Sequence, residues 1–251
     1  MLRDIFDEDA ELYDRVRPAY PAALVGDLVA RAGLGVGSRV LEVAPGTGKL
    51  TLPLARTGAD VTGVELGPSM AAVARRNLAA YPRVRIEVGD FETWALPGEP
   101  YDLVVIATAY HWIDPLVRVR KPIEALRPGG VFAVVTTHHV AGGSEEFFAG
   151  VQEIYERWDP ATPPGIRLRD AAVVDTDVGF GPVVARKYTQ EITYTSAEYL
   201  DVLLTYSGHR ALVPWRREGL LSGIGELIDT RYGGRITKRY MHELISVVRP
   251  G

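Results

Sequence analysis

The first buried apolar run of the sequence leads into a short turn that contains two glycines. Val40-Leu41-Glu42-Val43 is followed directly by Ala44-Pro45-Gly46-Thr47-Gly48. Glycine lets the backbone approach a ligand closely, and the first N–H groups of a following helix are free to bind it. The turn therefore predicts a ligand site where a strand passes into a helix.

The spacing of these glycines narrows the choice of ligand. A dinucleotide fingerprint has three glycines as G-x-G-x-x-G, but Lys49 and Leu50 follow Gly48 here. A phosphate-binding loop needs its glycines and lysine farther apart. Glu65 ends the next predicted strand, near the distance at which an acidic side chain accepts hydrogen bonds from a ribose. The glycine spacing therefore disfavours NAD and ATP as ligands, while Glu65 remains compatible with another ligand that carries a ribose.

Two histidine positions follow predicted strands and are candidates for proton transfer. His111 comes after the fourth strand, and His138-His139 come at the end of the fifth. Imidazole accepts a proton near neutral pH, so His111 is the predicted catalytic base. The alternative is that His111 hydrogen-bonds the loop and orders the pocket. Neighbouring strand residues face opposite ways, so only one of the pair, taken as His138, is expected to face a substrate.

Several aromatic side chains lie outside the glycine turn but could contact a substrate. The predicted substrate-binding residues are Tyr13, Trp112, His138, Tyr206 and Trp215. Their rings could present π faces to a cation or an aromatic molecule, although packing in a core explains such rings equally well. Basic residues near Tyr206 would favour an anionic substrate.

The elements that must position these residues have the pattern of a Rossmann-like fold. Short β-branched runs alternate with segments of helical period, which predicts a mostly parallel sheet with helices on both faces. Strands are predicted at 39–43, 60–65, 83–88, 101–107, 131–137, 183–194 and 240–248. Helices are predicted at 21–32, 50–56, 69–80, 116–126, 145–158, 197–205 and 215–232. This gives a seven-stranded sheet with a helical cap inserted between the last two strands.

The whole chain, 1–251, is interpreted as one domain with several parts. Residues 1–32 form a predicted N-terminal helical lid, and 33–142 form the ligand-binding core. Residues 143–182 form a helix and loop extension, with a proline-rich break at 159–165. Residues 183–251 supply the last two strands, with the cap at 196–234.

Composition excludes several classes of protein. The 251 residues are 47% hydrophobic and 24% charged, as in an ordinary globular domain, and the net charge is −4. No global positive field is available for nucleic acid, and no apolar run is long enough for a membrane span. The absence of cysteine excludes disulfides and thiolate metal sites, and no metal site is expected. A cytoplasmic location is expected, and the oligomeric state is unknown.

Ordered motifs over the first half of the chain resemble the class I S-adenosylmethionine (SAM)-dependent methyltransferases. Leu41–Gly48 resembles the first motif of that family, and Val64-Glu65-Leu66-Gly67-Pro68-Ser69-Met70 resembles the second. Val88–Glu92 is similar to the adenine-contacting turn, and Leu126–Gly130 to the turn before strand five. The pair His111-Trp112 is similar to the small-molecule subgroup that includes trans-aconitate methyltransferases.

The resemblance implies a function and a set of cofactor contacts. It implies methyl transfer from SAM to an oxygen, nitrogen or activated carbon of a small molecule, with S-adenosylhomocysteine as the by-product. The alternative is a protein that binds SAM structurally or in a non-methylating reaction. One departure is Ala44, which stands where the family usually has its first glycine. The residues expected to contact the cofactor are Tyr20, Glu42, Ala44, Gly46, Gly48, Glu65, Leu66, Met70, Asp90, Phe91 and Ala107.

Overall fold

A computed structural model describes residues 4–162 and 180–251 of the chain. The α-helices are α1 (Ala10–Val16), α2 (Ala22–Ala32), α3 (Thr51–Ala55), α4 (Pro68–Asn77), α5 (Val117–Ala125), α6 (Glu145–Gly150), α7 (Gln152–Trp158), α8 (Ser196–Leu204), α9 (Ser207–Ala211) and α10 (Pro214–Arg231). Short 3-10 helices span Asp4–Asp9 and Tyr110–Trp112.

Seven strands form a single sheet. They are β1 (Arg39–Val43), β2 (Asp60–Glu65), β3 (Val84–Val88), β4 (Tyr101–Ala107), β5 (Leu126–Gly143), β6 (Val184–Thr195) and β7 (Arg235–Val248). Their order across the sheet is β3-β2-β1-β4-β5-β7-β6. The five strands from β3 to β5 pair in parallel. The strand order reverses between β1 and β4, which is where open α/β sheets bind ligands.

Strand β7 runs antiparallel to its neighbours. The Gly129 amide donates to the Arg249 carbonyl at 2.8 Å, and the Ser144 amide donates to the Thr237 carbonyl at the same distance. Partner numbers in β7 thus fall as the numbers in β5 rise. The sheet is a Rossmann-like, mostly parallel sheet, as the sequence predicts.

The chain divides into two compact units. The described residues of unit 1 are 4–18, 138–162 and 189–241. Those of unit 2 are 19–137, 180–188 and 242–251. The predicted lid at 1–32 therefore contributes to both units, since the division falls between Pro18 and Ala19.

Unit 2 is built around the parallel strands. Side chains of β1, β4 and β5 alternate between two apolar clusters, one including Leu41, Val104 and Phe132, the other including Val40, Leu103 and Val131. A strand buried on both faces needs a nearly continuous run of apolar residues. Burying each large aliphatic side chain stabilises the fold by about 2 kcal/mol, which holds the carboxyl ends of these strands in place.

Unit 1 has its own apolar cluster, formed by helices and by the outer parts of β5, β6 and β7. Phe147, Val202, Leu220 and Ile224 are fully buried in it. Helix α8 begins with a capping box, in which the Thr195 side chain and Glu198 satisfy each other's backbone amides. The helices α8, α9 and α10 lie between β6 and β7 in sequence, as predicted for an inserted cap.

The structure also departs from some predicted bounds. The predicted helix 145–158 is two helices, which meet at Gly150 and Val151. Strand β5 extends to Gly143 and β7 begins at Arg235, both beyond the predicted bounds. Helices α1 and α9 were not expected. Of the proline-rich break, residues 163–165 lie outside the described residues.

Two features, a membrane-spanning helix and a cluster of metal ligands, are absent from the part of the chain that the structure describes. None of the described helices has the length and apolarity needed to cross a membrane. The described side chains contain no group of three or more His, Cys, Asp or Glu placed to hold a metal ion.

Candidate cofactor site

The turn after β1 contains a residue in a rare backbone conformation. Ala44 has φ +55°, in the left-handed region that favours glycine. Its amide donates to the Val64 carbonyl at 2.9 Å, so the chain leaves β1 still bound to β2. Residues in this conformation cost about 1 to 2 kcal/mol each and concentrate at ligand sites. Ala44 keeps the conformation of the usual glycine despite its methyl group.

Gly63, on the neighbouring strand β2, leaves room for Pro45, which follows Ala44 in the turn. A Cβ added to Gly63 on β2 would lie 3.0 Å from Pro45 Cγ and 2.7 Å from Ile86 Cδ1. Both distances are shorter than normal van der Waals contact, so a larger residue at position 63 would displace the turn. Pro45 and Gly63 therefore fit each other.

The two glycines of the motif take the conformations that the turn requires. Gly46 has φ +59° and Gly48 has φ +89°, both left-handed. A Cβ at Gly48 would also lie 3.0 Å from Leu78 Cδ1. The Asn77 side-chain amide donates to the Thr47 carbonyl at 3.1 Å. The end of α4 thus holds the turn against β1.

Glu65 binds backbone amides on both sides of the site. Its carboxylate accepts from the Gly46 amide at 2.8 Å and from the Gly67 amide at 2.9 Å. The residue is 7% exposed. A carboxylate has about four acceptor positions, so further hydrogen bonds from a ligand's hydroxyl groups are possible. The side chain connects the ends of β1 and β2.

Glu42 is a buried acid with unused hydrogen-bonding capacity. It is 1% exposed, and its Oε2 has no hydrogen-bond partner among the described residues. Burial raises the pKa of Glu42 to about 7, the nearby Thr51 hydroxyl lowers it slightly, and the charge of Glu65 raises it further. A buried acid of this kind favours a ligand that brings a positive charge or a hydrogen-bond donor.

The turn after β3 is held by hydrogen bonds to Asp90, a residue of the turn itself. Asp90 Oδ1 accepts from the Glu92 amide at 2.9 Å, and the Asp90 carbonyl accepts from the Trp94 amide at 2.8 Å. Phe91 is buried, and the Lys121 ammonium lies 5.1 Å from the centre of its ring. Asp90 and Phe91 thus lie in one ordered turn.

The end of β4 has the second unusual backbone position. Thr108 follows Ala107 with φ +59°, and its amide donates to the Val135 carbonyl at 2.7 Å. Among described residues, Ala44 and Thr108 are the only ones other than glycine with positive φ. They lie at the carboxyl ends of β1 and β4, the paired strands at which the order of the sheet reverses. Sequence reasoning did not predict Thr108.

The predicted base lies just beyond this position. His111 is exposed in the 3-10 helix Tyr110–Trp112, and its ring centre lies 4.6 Å from that of Trp112. Tyr110, in contrast, is buried, with the Arg118 guanidinium 4.4 Å from its ring centre. His111 and Trp112 therefore form one partly exposed pair in unit 2.

The remaining predicted cofactor residues also lie in unit 2. Met70 is buried in the first turn of α4, and Leu66 is half-buried just before that helix. Tyr20 packs edge-on against His242 with ring centres 5.9 Å apart, and the Thr137 hydroxyl hydrogen-bonds His242 Nδ1 at 2.9 Å. His242 was not singled out from the sequence.

Four predicted substrate residues lie in unit 1, and two of them, Tyr13 and Tyr206, both contact Arg17 there. The Arg17 guanidinium lies 5.1 Å from the Tyr13 ring centre and 4.4 Å from that of Tyr206. Trp215 is 61% exposed and packs edge-on against Trp158. His138 is buried on β5.

Sequence reasoning gave less weight to the neighbour of His138. His139 is half-buried and packs edge-on against Phe148, with ring centres 4.2 Å apart. Burial and the charge of Lys238 lower the pKa of His139 to about 3. Lys238 was not predicted as a site residue, because a lysine between alternating strand residues is typical of a solvent-facing position.

Comparison with known families agrees with this geometry. Residues 40–130, which contain the turn, Glu65, Asp90 and the end of β4, match the family described as Methyltransferase domain. Residues 40–130 therefore resemble a methyltransferase domain.

Curated relatives match about half of this chain. An uncharacterised methyltransferase of Mycobacterium tuberculosis is 37% identical over 123 residues, 49% of this chain and 48% of the relative. The trans-aconitate 2-methyltransferase of Variovorax paradoxus is 34% identical over 124 residues, 48% of this chain and 44% of the relative. The chain spans about half the length of the curated relatives it matches.

A solved structure extends the likeness of fold to the whole chain. The phosphoethanolamine N-methyltransferase 2 of Haemonchus contortus, solved with phosphomonomethylethanolamine and S-adenosylhomocysteine, has a TM-score of 0.59. It is 17% identical, and the match covers 100% of this chain and 60% of that chain. At this identity the likeness concerns the fold.

The residues of the turn fit SAM chemically. SAM carries an ammonium, a carboxylate, a sulfonium and a ribose. The unpaired Oε2 of buried Glu42 is complementary to the cationic end of the cofactor. The carboxylate oxygens of Glu65 are hydrogen-bond acceptors and are complementary to ribose hydroxyls. The left-handed backbone at Ala44, Gly46 and Gly48 leaves room for close approach.

Proposed function

We propose that this protein transfers the methyl group of SAM to an oxygen, nitrogen or activated carbon of a small molecule. The observation that carries the proposal is the pair of left-handed residues, Ala44 and Thr108, at the adjacent ends of β1 and β4. Such strain persists where the surrounding structure imposes it, and it concentrates at ligand sites. Two strained positions at the reversal of strand order support a ligand at that point of the sheet.

The cofactor, when bound, supplies an activated methyl group on sulfur. The protein therefore has mainly to position the acceptor and remove its proton where that is needed. Within this proposal Glu65 accepts hydrogen bonds from the ribose, and Asp90 and Phe91 contact the adenine. Glu42 and the backbone from Ala44 to Gly48 hold the methionine part. Tyr20, Leu66, Met70 and Ala107 complete the contacts.

His111 is the proposed base. Its side chain is exposed, so it is accessible to an acceptor, and its position at the end of β4 follows the strained Thr108. Trp112 packs against it and limits the orientation of the imidazole. A neutral imidazole at this place takes the proton that the acceptor loses.

The test combines a binding measurement with a transfer measurement. Purified protein is incubated with radiolabelled SAM and a panel of small acids, phenols and amines, and labelled product is counted. Glu65→Gln is expected to weaken SAM binding by about tenfold or more, because one charged acceptor is lost. His111→Ala is expected to lower turnover by about a hundredfold while SAM affinity is unchanged.

Glu99→Gln serves as the matched control, since Glu99 is an exposed acid paired with Arg39. It should change neither SAM affinity nor turnover. Unaltered SAM affinity in Glu65→Gln would remove Glu65 from the site. If wild-type protein binds SAM but labels no acceptor in the panel, methyl transfer is rejected in favour of a SAM-binding protein with a structural or non-methylating role.

A further inference from the structure

Several cations of unit 1 are paired with carboxylates. Arg15 binds Asp201 at 3.3 Å, Arg239 binds Glu191 at 2.6 Å, and Arg210 binds Glu8 at 2.9 Å. Arg15 and Arg239 are also well exposed, with 64% and 41% of their side chains accessible. The charge of each of these three arginines is therefore balanced by a neighbouring acid. Lys238 and Arg17 are exceptions to this pairing among the described residues, and both lie beside the same tyrosine.

The first exception is Lys238, which is 5% exposed. Its ammonium donates to the Tyr206 hydroxyl at 3.0 Å, and no carboxylate of the described residues lies within 4.0 Å of it. The centres of the Tyr199, Tyr206 and Tyr240 rings lie 5.2 to 5.8 Å from the ammonium. Burial costs an ammonium more hydration free energy than contacts with rings return. Lys238 therefore lacks an anionic partner among the residues that the structure describes.

The second exception is Arg17. Its Nε donates to the Thr205 hydroxyl at 2.8 Å, and its Nη2 donates to the Thr205 carbonyl at 3.0 Å. Both acceptors are neutral, and the guanidinium lies 4.4 Å from the Tyr206 ring centre. Lys238 and Arg17 thus converge on one tyrosine, and within 4–162 and 180–251 no carboxylate is bound to either.

The other polar groups around this tyrosine include two histidines, one carboxylate and several tyrosines. Burial lowers the pKa of His139 to about 3 and that of His209 to about 4, so both rings are neutral at pH 7. His139 Nε2 and His209 Nδ1 have no hydrogen-bond partner among the described residues. Asp159 acts electrostatically on His209, and its carboxylate accepts from the Thr162 hydroxyl at 2.5 Å. The tyrosines whose charges interact with Tyr206 are Tyr155, Tyr194, Tyr199 and Tyr240.

We propose that unit 1 binds a small organic anion at Lys238, Arg17 and Tyr206. The anionic group takes the place of the missing carboxylate and accepts hydrogen bonds from the ammonium and from the Tyr206 hydroxyl. Charge-assisted hydrogen bonds of this kind are the strong ones in proteins. The neutral nitrogens of His139 and His209 leave further polar positions for the rest of the ligand.

The acidity of Tyr206 supports the same site. Burial opposes its ionisation, but the charges of Lys238 and Arg17 lower the pKa of Tyr206 to about 8. The surroundings therefore favour a negative charge at this position. A bound anion would supply that charge itself and would raise the pKa of Tyr206 by repulsion. The pKa of Tyr206 therefore provides a measurable signal of anion binding.

The assignment of this anion as the methyl acceptor rests on the proposed function. On that basis the acceptor carries a carboxylate, a phosphate ester or another small anionic group. Binding of the anion itself does not require SAM, so the two proposals can fail separately.

The experiment titrates the full chain, without SAM, with benzoate, succinate and phenyl phosphate at fixed ionic strength and pH 7.5. Benzamide is the neutral counterpart of benzoate. Calorimetry measures affinity, and absorbance at 295 nm follows the ionisation of Tyr206, with Tyr206→Phe identifying its signal. At least one anion is expected to bind in the millimolar range or tighter and to raise the pKa of Tyr206, whereas benzamide does neither.

Lys238→Met is expected to weaken anion binding by about tenfold or more and to raise the melting temperature, because it removes an unpaired buried charge. Arg239→Met is the matched control, since it removes an exposed, paired cation at the next position. It should leave anion binding unchanged. If Lys238→Met does not fold, Arg17→Gln decides the outcome by the same loss of binding.

Three results would overturn the anion site: no anion binds up to 50 mM, benzamide binds as tightly as benzoate, or the folded Lys238 and Arg17 variants bind anions as wild type does. A second set of measurements separates this site from methyl transfer. SAM affinity of Lys238→Met should equal that of wild type. Anion binding without any labelled product would reject the proposed function while the anion site stands.

Discussion

Glu42 is a carboxylic acid closed off from water at the end of β1, and its proton is therefore linked to stability. Its pKa in the folded chain is about 7, against 4.5 as the reference value. The folded state holds this proton more tightly than the unfolded state does. The stabilisation is fully present below about pH 4.5 and is lost as the pH rises through 7.

Replacing Glu42 by glutamine removes this dependence. Between pH 4.5 and pH 7.5 the wild-type free energy of unfolding should fall by roughly 3 kcal/mol relative to Glu42→Gln, the equivalent of the pKa shift. Urea denaturation at a series of pH values measures the difference. Glu99→Gln, at an exposed acid, should follow wild type. A constant difference between wild type and Glu42→Gln would show that Glu42 ionises normally.

At the scale of residues, the sequence predicted the positions in the glycine turn better than the charges in unit 1. Gly46, Gly48, Glu65 and Asp90 are close to strand ends, so a strand pattern was enough to place them together. Lys238 is different, because its surroundings depend on side chains from other segments of the chain, such as Tyr199 and Tyr206. A local pattern contains no information about which carboxylates are absent from such a neighbourhood.

Helices α7 and α10 meet at a glycine that allows close packing. A Cβ added at Gly219 would lie 2.5 Å from the Trp158 ring. Alanine normally stabilises a helix interior by about 1 kcal/mol relative to glycine. Here the rigid indole must move, and overpacking costs about 1 to 3 kcal/mol. The close contact with Trp158 therefore makes an alanine at position 219 destabilising rather than stabilising.

Gly219→Ala is therefore expected to lower the free energy of unfolding by about 1 kcal/mol or more, measured by urea denaturation. Gly26→Ala is the control, because Gly26 is exposed in α2 and nothing lies within 4 Å of its added Cβ. That variant should be more stable than wild type by up to about 1 kcal/mol. A gain of stability in both variants would mean that the Trp158 ring moves to accommodate the added methyl group at little cost.

At the scale of elements, periodicity predicted the type of structure and missed several bounds. Apolar runs identified β1 to β4 almost to the residue, and most residues of β1, β2 and β4 are buried. The break between α6 and α7 was missed because the helical period continues across Gly150 and Val151. The extra length of β5 and β7 comes from their mutual pairing, as between Ser144 and Thr237, which a window of local sequence does not contain.

At the scale of the whole molecule, SAM should stabilise the chain through unit 2. A ligand that binds only the folded state adds about 2.7 kcal/mol at 100 times its Kd. Thermal denaturation with and without SAM measures the gain. Hydrogen exchange should show new protection at 44–49, 65–67 and 90–94. At equal SAM concentration, Glu65→Gln should show a smaller gain in thermal stability and less new protection than wild type. New protection confined to unit 1 would contradict the cofactor site.

The division of the chain has a consequence for protein engineering. Each unit is assembled from three separate stretches, and the chain passes five times from one unit to the other. The family match at 40–130, by contrast, falls within one continuous stretch of unit 2. No single excision can release either unit as a continuous polypeptide. Transplanting unit 1 from a relative therefore requires three coordinated splices rather than one fusion.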